Sequence, residues 1–244
     1  MNMNPKTATV VRVPPGTNIS PPTLAVLSQN FRKARLAALQ ADPSAFSSSY
    51  ERESQFDDAA WARRLQNPLA QTFVALAKNR TSPAEGCEDD HIDDDLKLLS
   101  DHPWVGMVVL LGPRALAADG SESASPWKVF SSMGPSSTLD MSSLVSGEAA
   151  YFAASMFVLP EARKQGIGRR LVVKSVETVG KDAMNFGARK VNISLLVSAN
   201  NAPAISLYQS CGFEALEGAP QIEELQEKDL VTVAMAKTTE LVTI

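Results

Sequence analysis

The chain has 244 residues, of which 44% are hydrophobic and 20% are charged, a balance typical of one soluble domain with room for insertions. No uninterrupted apolar run reaches about 18 residues, so we expect no membrane-spanning helix and no membrane partner. The net charge of −4 at pH 7 argues against a nucleic-acid partner held by bulk positive charge. The two cysteines, Cys87 and Cys211, are too few for a disulfide framework, and free thiols favour a cytoplasmic location.

The N-terminal part of the chain predicts two helices and two strands. Residues 7–13 alternate as a strand does, which favours a first strand over a transit peptide despite a basic, acid-poor N-terminus. Apolar residues at helical spacing predict a helix over 23–40, and a loop is expected over 42–53. A second helix is expected near 57–66, and residues 72–77 are typical of a strand.

Two segments interrupt this pattern and are interpreted as insertions, at about 79–103 and 114–147, in one domain spanning 1–244. The first contains His91 among five nearby aspartates, which leaves a metal site open, but mutual repulsion favours a solvated, mobile loop. No metal is therefore expected. The second is rich in Ser, Ala and Gly and predicts a long loop, which leaves open a short strand near Trp127. Residues 104–112, between the insertions, are typical of a strand.

The C-terminal half alternates strands with helices. Residues 149–158 form a nearly continuous apolar run, as expected of a strand buried on both faces. A helix is predicted over 167–186 and an alternating strand over 190–197. Asn200 or Asn201 is suited to cap a short helix that ends at Cys211, and residues 230–236 supply a closing strand.

The turn from Arg163 to Gly168 joins the buried strand to its helix. The first amides of a helix lack internal partners, and the helix dipole adds partial positive charge there. Glycines at 166 and 168 allow an anion close to the main chain, and flanking Arg and Lys side chains add cations, an arrangement that suits a pyrophosphate. The spacing excludes a P-loop and the dinucleotide fingerprint. An ordinary turn with glycines for tight packing remains the alternative.

Two linked segments resemble the GNAT superfamily of N-acetyltransferases. VLPEARKQGIGRRLV is similar to its acyl-CoA signature, Arg/Gln-x-x-Gly-x-Gly/Ala, with matches at Arg163, Gly166 and Gly168. NAPAISLYQSCGF (201–213) is similar to its Asn-x-x-Ala-x-x-Leu-Tyr-x-x-x-Gly-Phe segment. Weaker similarity extends to 31–53 and 106–113, so the resemblance covers most of the chain outside the insertions.

The resemblance implies an α/β (α+β) fold with a mixed, mostly antiparallel central sheet, a V-shaped splay between two parallel strands, and helices on both faces. It implies acetyl-CoA (coenzyme A) as cofactor, its pantetheine arm pairing with residues 156–158 and its pyrophosphate lying on the amides of about 164–169. Tyr208 is the implied catalytic acid, which would protonate the departing thiolate. The implied cofactor-binding residues are Met156, Phe157, Val158, Arg163, Lys164, Gln165, Gly166, Ile167, Gly168, Arg169 and Asn201.

The activity implied is direct transfer of an acetyl group to a primary amine of a small molecule or peptide, with an amide near Val158 stabilising the oxyanion. No general base is assigned, because the glutamate of some relatives falls on Phe152; Glu148, Glu51, Glu53 and Tyr50 stay open. A non-catalytic acyl-CoA sensor or interaction module, or a transferase for another acyl group, stays open as well. The superfamily also leaves a homodimer open.

Overall fold

The computed structural model of the chain describes residues 8–15, 18–77, 92–115, 144, 147–216 and 231–241. In these ranges seven strands form one sheet, in the order β1-β2-β3-β4-β5-β7-β6. The strands are Ala8–Arg12 (β1), Ala70–Ala77 (β2), Trp104–Ala115 (β3), Glu148–Val158 (β4), Lys190–Ser198 (β5), Glu214–Ala215 (β6) and Thr232–Glu240 (β7). β4 and β5 pair in parallel and all the other neighbours pair antiparallel. The mixed, mostly antiparallel sheet predicted from the sequence is confirmed.

Six helices accompany the sheet in the described part of the chain. They are Pro21–Ala41 (α1), Tyr50–Glu53 (α2), Asp58–Gln66 (α3), Ile92–Asp101 (α4), Ile167–Asn185 (α5) and Ala202–Ser210 (α6). Side-chain caps fix several of their starts: the Asp57 carboxylate accepts the Ala60 amide at 2.7 Å at the start of α3. Of the helices described, none is long and apolar enough to cross a bilayer.

The core has two layers, one on each face of the sheet. Successive residues of a strand point to opposite faces, so Phe73 of β2 packs in the layer under α5, whereas Val74 packs in the layer under α1, α3 and α4. Leu171 of α5 and Leu27 of α1 are fully buried in these two layers. Burying a side chain of this size contributes about 1.5–3 kcal/mol, so both layers hold the sheet in place.

The prediction of a solvated loop across 79–102 is wrong for its second half. Residues 92–101 form α4, whose Leu99 is fully buried against α1 and β3. The Leu99 carbonyl accepts Asn30 Nδ2 at 3.1 Å and Trp104 Nε1 at 2.9 Å. Leucines at helical spacing therefore outweigh the aspartates, which lie in the first turn, where the helix dipole favours them.

Other expectations are met in part or lie outside the described residues. The loop expected over 42–53 contains a short 3₁₀ turn, Pro43–Ala45, and the helical turn α2. Residues 79–91, with His91 and Cys87, lie outside the described residues, as do residues 116–143, where a short strand near Trp127 is predicted.

The β4 and β5 strands separate along their length. Their parallel pairing runs from Glu148↔Lys190 to Ala153↔Leu195, although β4 continues to Val158 and β5 to Ser198. On the other edge of β4, two residues lie opposite Val108 of β3, since the register shifts between Met107↔Phe157 and Val109↔Ala154. One of the two, Ser155, has a φ of 53°. This β-bulge bends β4 away from β5, which gives the predicted V-shaped splay a local cause.

Candidate functional site

A cavity of about 680 Å³ lies at the splay between β4 and β5. Its walls come from the end of β4, the turn before α5, the end of β5, the start of α6, and the segment after α1. Ten of the eleven residues predicted to bind a cofactor line it, namely Met156, Phe157, Val158, Arg163, Lys164, Gly166, Ile167, Gly168, Arg169 and Asn201. Gln165 does not line it, and its side-chain amide donates to the Glu161 carbonyl at 3.3 Å.

Backbone amides at the start of α5 form the floor of a candidate anion site. Gly166 is the N-cap residue, with a φ of 72°, and its carbonyl accepts the Arg170 amide at 3.1 Å. The amides of Ile167, Gly168 and Arg169 precede this bond and therefore have no acceptor within the helix. A Cβ atom at Gly166 would meet no described atom within 4 Å, so the space before these amides is open. With the helix dipole, these amides suit a diphosphate.

Gly168 has a different reason to be glycine. A Cβ atom there would lie 3.0 Å from Leu207 Cδ2 on α6 and 3.5 Å from Met156 Cε on β4. The absence of a side chain therefore allows α5 to pack close to α6. The two explanations for the glycine turn thus apply to different residues. Gly166 leaves an anion site open, whereas Gly168 allows close packing.

The end of β4 presents polar backbone groups to the cavity. The Leu159 amide donates to the Val105 carbonyl of β3 at 2.9 Å. Because backbone groups of successive residues alternate between the edges of a strand, the amide and carbonyl of Val158 lie on the opposite edge, which faces the splay. The Val158 carbonyl accepts Arg163 Nε at 2.9 Å. The Val158 amide is therefore the donor that this edge offers to a ligand.

The Arg163 side chain binds protein groups rather than facing the amides of α5. Besides the Val158 carbonyl, its guanidinium donates to the carboxylate of Asp42. It also lies 5.8 Å from the centre of the Phe157 ring. Arg163 lines the cavity, yet its donors join the strand end to the segment that follows α1.

Asn201 begins α6 at the far side of the splay. Its side-chain oxygen accepts the Ala204 amide at 3.2 Å, which caps the helix, and Pro203 lies in the first turn. This capping bond uses Oδ1, so the Nδ2 group is the part of Asn201 that can donate to a ligand in the cavity.

Tyr208 lies behind the cavity wall rather than in it. Leu207 and Ala204 of the same helix line the cavity, whereas Tyr208 is 7% exposed and its ring packs 5.7 Å from that of Phe213. Burial raises the pKa of the Tyr208 phenol far above its ordinary value, and the neighbouring Cys211 adds to this rise. The phenol therefore keeps its proton at neutral pH and can act as a proton donor but not as a base.

The structure excludes Glu53 as a general base. Its carboxylate is 1% exposed and accepts Arg35 Nη2 at 2.7 Å and Arg64 Nη1 at 2.9 Å. Burial opposes ionisation, yet the hydrogen bonds and charges of the two arginines outweigh it and hold the pKa of Glu53 below its usual value. Glu148 lies opposite Lys190, at the other end of β4 from the cavity.

Neither Tyr50 nor Glu51, the other candidates for a general base, is among the described residues that line the cavity. Tyr50 packs in a small apolar cluster with Phe46 and Phe157. Asp42 is the acidic residue that lines the cavity, and Arg163 binds it. Within the described ranges no group of three or more His, Cys, Asp or Glu side chains is arranged to hold a metal ion.

Sequence reasoning did not predict the wall that follows α1. Asp42, Ser44, Ala45 and Phe46 line the cavity opposite the glycine turn. The only signal for this wall in the sequence was the weak resemblance over 31–53, which carried no residue roles. The β-bulge at Ser155 was also missed, because no glycine or proline marks it.

Residues 140–215 match the family model described as the acetyltransferase (GNAT) domain. Solved structures share the fold across nearly the whole chain. A structure of Arabidopsis thaliana NAA60 with a bisubstrate analogue is 16% identical, with a TM-score of 0.52, and covers 95% of this chain and 100% of its own. Spermidine N-acetyltransferase from Vibrio cholerae, in complex with CoA and spermine, is 12% identical, with a TM-score of 0.52 and 96% coverage of both chains. No curated protein sequence matches this chain.

The family model covers both linked motifs and the strand, helix and splay that surround the cavity. Residues 140–215 therefore form a GNAT acetyltransferase domain, which confirms the predicted family, its acyltransferase class and its acetyl-CoA cofactor.

Proposed function

We propose that this protein transfers an acetyl group from acetyl-CoA directly to a primary amine of a small molecule or peptide. One observation carries the proposal: a single cavity joins the open amides of α5 to the unpaired edge of β4. The first suits the diphosphate of CoA and the second suits the amide-bearing pantetheine arm, which would extend the sheet as an added strand.

The chain's own groups have distinct parts in this reaction. The amides of residues 167–169 and the cation of Lys164 hold the diphosphate end, so the thioester reaches the deep part of the splay. There the Val158 amide donates to the thioester oxygen and stabilises the charge that develops on it. The amine nitrogen bonds to the carbonyl carbon, the carbon–sulfur bond breaks, and the amine loses its extra proton to water. The thiolate leaves as the thiol of CoA.

Tyr208 is the proposed proton donor to that thiolate. Its raised pKa keeps the phenol protonated, but it also makes complete proton transfer to a thiolate less favourable than for an ordinary phenol. Since Leu207 lines the cavity and Tyr208 does not, the role requires the phenol to reach the sulfur past the edge of α6. We therefore expect a contribution near the low end of general-acid effects, about 10²-fold in kcat.

The amine class is supported by what the structural neighbours bind. The Vibrio cholerae enzyme was solved with spermine, which carries primary amines, and the Arabidopsis protein was solved with acetyl-CoA as well as with a bisubstrate analogue. No acidic side chain lining the described cavity is free of an ion pair, because Asp42 is bound by Arg163. Water therefore takes the amine proton in this proposal.

The experiment measures release of free CoA thiol from acetyl-CoA with a panel of amines, including spermine and peptides with free N-termini. Tyr208→Phe should lower kcat about 10²-fold and leave the KM for acetyl-CoA unchanged. Tyr151→Phe is the matched control, because Tyr151 of β4 is fully buried in the core layer under α5 and does not line the cavity, so its substitution should leave both values unchanged.

The possible outcomes separate the alternatives. If the wild-type protein turns over and Tyr208→Phe is equally active, Tyr208 is not the proton donor, but the proposed activity stands. Tight CoA binding by calorimetry with no thiol release across the panel would favour a non-catalytic acyl-CoA module, an alternative that Phe152 at the glutamate position of some relatives supports. Turnover with propionyl-CoA or butyryl-CoA but not with acetyl-CoA would show that the protein transfers a longer acyl group.

The proposal extends to the organisation of the chain. β1 and β7, from its two ends, belong to one sheet, which supports a single domain with insertions near 79–103 and 114–147. We place it in the cytoplasm because of its expected free thiols. A homodimer, common in the superfamily, is testable by light scattering coupled to size-exclusion chromatography.

A further inference from the structure

We propose that Arg163 and Asp42 form a positioning pair, here called the Arg163–Asp42 bridge, which holds the segment after α1 against the end of the cofactor strand. The proposal rests on the acetyltransferase function proposed above. The motif resemblance alone implied that Arg163 binds the cofactor, whereas this proposal gives it a positioning role instead.

The geometry of Arg163 is that of a crosslink. Its Nε atom donates to the Val158 carbonyl at 2.9 Å, and its Nη2 atom donates to the Asp42 carboxylate, 121 residues earlier in the chain. The Arg163 amide donates to the Pro160 carbonyl at 3.3 Å, which fixes the backbone from which the side chain extends. A guanidinium presents its donors in a planar fork, so both bonds constrain the same group.

Asp42 is fixed as firmly on its own side. Its amide donates to the Ala38 carbonyl in the last turn of α1, at 3.0 Å, and its carbonyl accepts the Ala45 amide of the 3₁₀ turn, also at 3.0 Å. The carboxylate therefore projects from the point where α1 meets the 3₁₀ turn. The bridge connects this point to the last residue of β4, where the proposed thioester contact lies.

The bridge also aligns the aromatic wall on the side from which an acceptor would approach. Phe46 follows the 3₁₀ turn, and its ring lies 6.5 Å from that of Phe157, the residue before Val158. The guanidinium of Arg35 lies over the Phe46 ring, 4.8 Å from the ring centre. Arg163, near the Phe157 ring, completes the row. Loosening the bridge would therefore move the wall without removing any residue that contacts the diphosphate.

Charge substitution separates the bridge from a phosphate-binding role. If Arg163 bound the diphosphate, Asp42→Asn would release the guanidinium and remove a nearby negative charge, so CoA would bind more tightly. If the bridge positions the wall, Asp42→Asn and Arg163→Met would have the same effect, a higher KM for the acceptor amine with little change in CoA affinity. The double variant would be no worse than either single variant.

The test is a double-mutant cycle on the full chain, with spermine or a free N-terminal peptide, whichever the wild-type protein acetylates. Because the pair is half-exposed, we expect each single variant to raise the acceptor KM two- to fivefold. Arg169→Met is the matched control, since Arg169 lines the cavity at the start of α5; it should weaken CoA binding and reduce its salt dependence. Amide exchange over residues 42–46 should accelerate in both bridge variants and not in Arg169→Met.

Three results would overturn the bridge. Tighter CoA binding by Asp42→Asn, additive losses in the double variant, or unchanged amide exchange over 42–46 would each be incompatible with it. These failures are distinct from failure of the proposed function, which would appear as absent turnover in the wild-type protein. The exchange measurement needs no acceptor and reports on the bridge even then.

Discussion

Replacing glycine with alanine should have opposite effects on stability at Gly166, which precedes α5, and at Gly180, which lies within it. Gly166 caps the helix with a φ of 72°, a left-handed conformation that costs an alanine about 1–2 kcal/mol. Gly180 lies in the interior of the helix, where a Cβ atom would meet no described atom within 4 Å. There alanine should stabilise the protein by about 0.5–1 kcal/mol, because glycine is the more flexible residue in the unfolded chain.

The cost at Gly166 can appear in either of two measurements. If the turn keeps its conformation, the strain of about 1–2 kcal/mol lowers the free energy of unfolding. If the turn relaxes, the amides of residues 167–169 leave the arrangement that suits a diphosphate, and only the strained minority binds CoA. The dissociation constant then rises by about 5- to 30-fold for the same energy. The two losses should therefore sum to about 1–2 kcal/mol.

The assays are thermal unfolding and calorimetric titration with CoA, applied to wild type, Gly166→Ala and Gly180→Ala. Gly180→Ala should raise the unfolding midpoint by about 1–4 °C, from a scale of about 2–4 °C per kcal/mol in a chain of this size, and leave CoA affinity unchanged. Gly166→Ala with both wild-type stability and wild-type CoA affinity would refute the left-handed amide site. A loss of affinity in Gly180→Ala would also refute it, because that site is remote from the cavity.

Two further substitutions test the supports of the cavity. Glu53→Gln should lower the free energy of unfolding by about 3–5 kcal/mol, because it leaves Arg35 and Arg64 without their buried carboxylate. Urea unfolding in the absence of CoA measures this loss, and a loss below about 1 kcal/mol would contradict the expectation. Because the folded-state pKa of Glu53 is lowered, its contribution should be complete above its ordinary value of 4.5 and disappear as pH falls through the folded value, a dependence absent from the variant. Leu99→Ala should cost about 2–5 kcal/mol if α4 packs as described, whereas an effect near zero would restore the solvated-loop interpretation of residues 92–101.

The cofactor half of the site was predictable because its signals are local. An apolar strand, a glycine turn and an amphipathic helix follow one another within 148–185, and the physical reasons for each lie in adjacent residues, although β4 is only partly buried rather than buried on both faces as predicted. Gly166 illustrates this: a helix start with unpaired amides needs only a few neighbours to be recognised. The wall that follows α1 was not predictable in the same way. Asp42 and Arg163 are 121 residues apart, and neither has a local pattern that indicates the other.

Two errors have physical causes that sequence composition conceals. In residues 92–101, Asp93, Asp94 and Asp95 suggested repulsion and a mobile loop, yet all three lie in the first helical turn, where their charge is favourable. Leu96, Leu98 and Leu99 then supply the apolar contacts on α1 and the sheet. At Ser155, a non-glycine residue adopts a positive φ because the pairing of β4 with β3 before and after the bulge holds it there, a constraint visible only once β3 is paired.

The bulge, the bridge and the splay meet at the last residues of β4, and together they indicate why the site lies there. The bulge at Ser155 turns the strand away from β5, so the edge of Val158 loses a strand partner that the earlier residues have. An unpaired edge in a folded protein must find other partners, because buried amides and carbonyls without them are costly. Arg163 satisfies the Val158 carbonyl, and the amide beside it is left for a ligand. In the proposed reaction, this single irregularity in β4 would provide both the space for a pantetheine arm and the donor to its thioester.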